Sequence, residues 1–125
     1  MDHRRRTMLC AVVGLFAVMS ASCATMFPGA QSEFDVALQF FGQGRYTDAI
    51  PHFQRAAEYD PKFADAYLYL GRCYVSLGRY VEAIQPLRTA YTLAPEKTRG
   101  EIFNILVDAL ISAALSEEKG QFSRP

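Results

Sequence analysis

Two periodicities are superimposed along this chain. At short range, Phe34, Leu38 and Phe41, then Leu68, Arg72 and Val75, then Ile102 and Leu106 stand three or four positions apart, the spacing of one face of an α-helix. At long range, Gly44-Arg45-Tyr46-Thr47-Asp48-Ala49-Ile50 recurs as Gly78-Arg79-Tyr80-Val81-Glu82-Ala83-Ile84, a shift of 34 residues. The same shift carries Ala56 onto Ala90, Tyr59 onto Leu93 and Pro61 onto Pro95. Gly44 and Gly78 suit the left-handed backbone at a helix C-terminus, and Pro61 and Pro95 cannot continue a hydrogen-bonded ladder. The pattern therefore predicts helices over 32–43, 46–59, 64–77, 80–93 and 97–115. Pro51 and Pro86 fall near enough to helix starts to be tolerated with a slight kink.

A 34-residue period of paired helices resembles the tetratricopeptide repeat. Tyr67-x-x-Leu70-Gly71-x-x-Tyr74, Ala83-x-x-x-Leu87 and Pro95 follow that family's pattern, with Tyr67 where Trp is usual. The first copy is weaker over Glu33, Val36, Ala37 and Phe40 and strong over Gly44, Tyr46, Ala49, Phe53, Ala56 and Pro61. The resemblance implies an all-α solenoid of two helical hairpins plus a C-terminal capping helix. Ala37, Gly71, Ala49 and Ala83 would let helices approach closely, while Phe40, Tyr46, Phe53, Tyr74, Tyr80 and Leu87 fill the space between. It also implies a concave wall built from first helices that binds peptide segments. On that geometry the wall residues are Phe34, Leu38, Phe41, Leu68, Arg72, Val75, Ile102 and Leu106. Such a wall is apolar and suits an amphipathic helix or an extended hydrophobic peptide; the alternative is that the groove is filled internally, by the C-terminal helix or by Phe34 and Phe41 as plain core. Only Arg72 on it would meet a C-terminal carboxylate, so that ligand class fits poorly.

No third Gly-Arg-Tyr follows Pro95. In the last helix Glu101, Asn104, Asp108 and Ser112 form a polar stripe, and nearly everything else from Ile102 to Leu115 is apolar. A terminal cap should carry a wider polar face. Either the helix folds back and covers its own apolar surface, or that surface docks another chain.

Ahead of the repeats, Arg4-Arg5-Arg6, the apolar residues 8–19 and the small Ser20-Ala21-Ser22 make the three parts of an export signal. Met19-Ser20-Ala21-Ser22-Cys23 resembles a bacterial lipobox, departing from it at Ser20, where Leu is commonest. That resemblance implies a lipidated Cys23 as the mature N-terminus. Ordinary cleavage after Ser22-Cys23-Ala24 and an uncleaved membrane-spanning segment are the alternatives. The chain then divides into a lipoprotein-type signal peptide (1–22), a tether (23–31), the helical domain (32–115) and a polar tail (116–125). All three readings leave the basic run cytoplasmic and the domain outside. The expected location is the bacterial cell envelope, facing the periplasm, lipid-anchored and on the outer membrane.

Charge and chemistry narrow the function classes. The whole chain balances 13 basic against 13 acidic residues, and removal of Arg4, Arg5, Arg6 and Asp2 leaves 10 against 12. Such a domain lacks the basic footprint of a nucleic-acid binder. Cleavage before Cys23 leaves 103 of the 125 residues, too few for a barrel or a dinucleotide-binding enzyme. Neither a phosphate loop nor a Cys/His cluster with metal-ligand spacing occurs, and no cofactor is called for. Cys73 is then the lone mature thiol and belongs in the core; His52 sits at a position that reads as surface. The expectation is a non-enzymatic interaction or assembly subunit, with a self-associating module as the alternative.

Overall fold

A computed structural model describes residues 29–122 as five helices: α1 (Ala30–Gly42), α2 (Tyr46–Tyr59), α3 (Ala64–Ser76), α4 (Tyr80–Leu93) and α5 (Glu96–Phe122). The export segment and Cys23 lie outside the described residues. α2 and α4 run between the residues that the repeat marks as their ends. Acidic residues occupy each first turn, Glu33, Asp48, Asp65, Glu82 and Glu96, where the positive end of the helix dipole favours them.

The two glycines behave identically. Gly44 and Gly78 take φ of 73° and 72°, the left-handed region that an L side chain resists. Around them Arg45 N–H donates to Phe40 C=O at 2.9 Å and Gly44 N–H to Phe41 C=O at 3.0 Å. Arg79 to Tyr74 and Gly78 to Val75 repeat those bonds at the same lengths. This pair of bonds is the Schellman closure, which satisfies carbonyls that a helix end leaves open. α2 and α4 stop differently: Asp60 and Ala94 turn extended, as the residue before a proline must.

α1 pairs with α2 and α3 with α4; α2 packs on α3 and α4 on α5. Packing follows the repeat. Phe53 of α2 and Leu87 of α4, one period apart, are fully buried, and so are Ala49, Ala56, Ala83 and Ala90 around them. At Gly71 a Cβ would stand 2.5 Å from Cγ of Leu87, so α3 and α4 are as close as an absent side chain permits. Cys73 is buried in the cluster around Phe53, as its isolation in the sequence predicts. Burial pushes its thiol from 9.0 to about 12, since a thiolate there would lose its water.

The chain departs from the expected boundaries at both ends. Ala30 and Gln31 belong to α1 rather than to the tether. At the other end α5 runs 27 residues, through the segment 116–122 expected as a tail. Glu117, Glu118 and Lys119 are good helix formers with no breaker before Gly120, so their polarity decides their solvation and not their backbone. At about 1.5 Å per residue, α5 is ~40 Å long against ~21 Å for the 14 residues of α4, and its C-terminal part outreaches its neighbour.

Two consequences are testable. Gly71→Ala should lower stability by about 1–3 kcal/mol through overpacking against Leu87, whereas Gly42→Ala, where a Cβ meets nothing within 4 Å, should stay near wild type; thermal melts of both variants decide. For Cys73, the unfolded thiol ionises near 9.0 and the folded one near 12, so between those values the unfolded chain binds fewer protons and stability falls as pH rises. Melting temperature followed from neutral to alkaline pH should fall less steeply in Cys73→Ala than in wild type.

Candidate partner-binding surface

The eight residues expected on the wall separate by burial. Phe34, Leu68 and Ile102 are core and present no docking surface. Phe34 is enclosed by aromatic rings, with centroids at 5.5 Å to Phe53, 4.7 Å to Phe63 and 5.6 Å to Tyr69. Leu68 and Ile102 share the second core cluster with Leu87. Helical spacing places these residues on one face of their helices, and bulky neighbours close over them. Phe63 and Tyr69, which the spacing does not single out, are what cover Phe34.

Leu38, Phe41, Arg72, Val75 and Leu106 remain half-buried. Phe41 stands edge-on to Tyr69 at 5.2 Å and to Tyr46 at 5.3 Å. Arg72 lies with its guanidinium 5.3 Å from the Tyr69 ring centre and pairs with Glu101 of α5. These five leave partly exposed, mostly apolar side chains on α1, α3 and α5, with one ion pair at the seam between α3 and α5.

α5 carries a second apolar surface. Its inner side sets Ile102, Ala109 and Ala113 into the core, while Phe103, Leu110, Ile111 and Leu115 are 45–54% exposed on the outer side. Glu101, Asn104 and Asp108 of the polar stripe face solvent, and Ser112 is half-buried. Beside Phe103, a cavity of about 300 Å³ is lined by Tyr91, Arg99, Gly100 and Phe103. Tyr91 and Phe103 approach to 6.1 Å. Arg99 donates from Nη2 to the Ala94 carbonyl at 3.1 Å, and its Nε is buried with no acceptor among the described residues. The uncapped apolar composition of this helix is the sequence signal for the surface; which residues face outward required the structure.

His52 is more tightly held than a plain surface histidine. Its Nδ1 lies 2.7 Å from Oε2 of Glu33, its ring stacks on Phe40 at 5.4 Å, and Arg55 Nε donates to the same carboxylate oxygen at 3.1 Å. These contacts tie α1 to α2 across the first hairpin. Among the described residues no three His, Cys, Asp or Glu side chains gather as metal ligands, and no helix is long and apolar enough to cross a membrane.

Comparison with known proteins converges on the repeat. Anaphase-promoting complex subunit 3 of Dictyostelium discoideum is 33% identical over 67 residues, a stretch covering 54% of this chain and 7% of that much longer protein. The solution NMR structure of a tetratricopeptide repeat domain protein from Salinibacter ruber superposes with a TM-score of 0.59 at 22% identity, over 66% of this chain and 89% of that one, a likeness of fold. A family model described as tetratricopeptide repeat matches residues 34–97, which takes in both Schellman turns, both buried alanine pairs and the Gly71–Leu87 contact. This chain belongs to the tetratricopeptide repeat family, whose domains generally mediate protein–protein interaction.

Proposed function

We propose that this chain is a non-enzymatic interaction subunit of the bacterial cell envelope. It is exported, acylated at Cys23 and held by that anchor at the periplasmic face of the outer membrane, where its domain binds another protein. The half-buried wall of first helices carries the reading: Leu38, Phe41, Val75 and Leu106 expose apolar surface around Arg72 without being needed as deep core. Apolar surface of this kind suits one face of an amphipathic helix or an extended hydrophobic peptide. Arg72 adds a polar point of orientation, because its pairing with the largely exposed Glu101 is a surface interaction worth about 0–1 kcal/mol and is readily exchanged for a ligand carboxylate. Diacyl or triacyl modification supplies the more than one chain that stable anchoring needs.

Anchoring and binding are tested separately. In cells, Cys23→Ala should move the domain from the membrane to the soluble fraction, and the mature wild-type mass should include the acyl groups. A wild-type protein with unmodified Cys23, soluble or retained through an uncleaved segment, would sink the lipoprotein reading. For the wall, Val75→Glu and Leu38→Glu should keep wild-type helix content and lose partners captured by crosslinking, because a bound apolar interface must desolvate the new charge. Leu68→Glu should instead unfold the domain. Unchanged capture by both wall variants would remove the wall as the binding surface.

A further inference from the structure

We draw no further inference here: the strongest candidate, the exposed apolar stripe of α5 along Phe103, Leu110, Ile111 and Leu115 with the cavity beside Tyr91 and Arg99, is flanked at both ends by charges of both signs, and nothing in the structure shows what covers it.

Discussion

The close approach of α3 and α4 at Gly71 is the constraint on which the rest of the domain depends. A chain this short buries little surface, so its helices must come near enough for a few large side chains to fill the gap. Leu87 reaches the position where a Cβ at residue 71 would stand, and it is fully buried because of that vacancy. Fully buried alanines at 37, 49, 56, 66, 83 and 90 keep the other crossings narrow. Small residues set the spacing and large ones, Phe53 and Leu87, lock it; neither class would make a core alone.

A solenoid passes its hydrophobic surface from one hairpin to the next and must dispose of it at the end. Here the first hairpin is the richer in aromatics: Phe34, Phe41 and Phe53 gather around Tyr69 of α3, and Glu33 fastens His52 and Arg55 across the hairpin. The last described helix is built in the opposite way. α5 covers the second hairpin with Ile102, Ala109 and Ala113 and then presents a fresh apolar side to solvent. A helix apolar on two sides cannot be the outermost layer without a wide unsatisfied surface, whatever its inner side achieves.

Legibility in the sequence followed how local each determinant is. Gly44, Gly78, Pro61 and Pro95 act on their own backbone, and they marked the turns and the bounds of α2 and α4. Burial of Cys73 was legible because an unpaired thiol on an apolar helix has a natural place. The wall was only partly legible. Repeat position says which way Phe34 points, but its burial depends on the size of Phe63 and Tyr69, set by packing between α1 and α3. The length of α5 is not legible in its composition, because polarity marks solvation and not an end of structure, and Glu and Lys stabilise a solvated helix well.

Arg72 and Glu101 connect the two apolar surfaces. Arg72 stands on the wall, its guanidinium beside Tyr69, while Glu101 belongs to the polar stripe at the base of α5. A ligand lying along the wall must accommodate this pair or compete with it, and a shift of α5 away from α3 must stretch it. With Glu101 largely exposed, the attraction is screened and small, so the pair orients α5 on α3 without fixing it. What holds α5 in place is therefore the apolar contact of Ile102 with the cluster around Leu87, and that contact lies on the side away from the exposed stripe. Occupation of the stripe adds apolar burial on the opposite side of the helix and withdraws none from the core. The domain can thus gain a neighbour on α5 without repacking the hairpins beneath it.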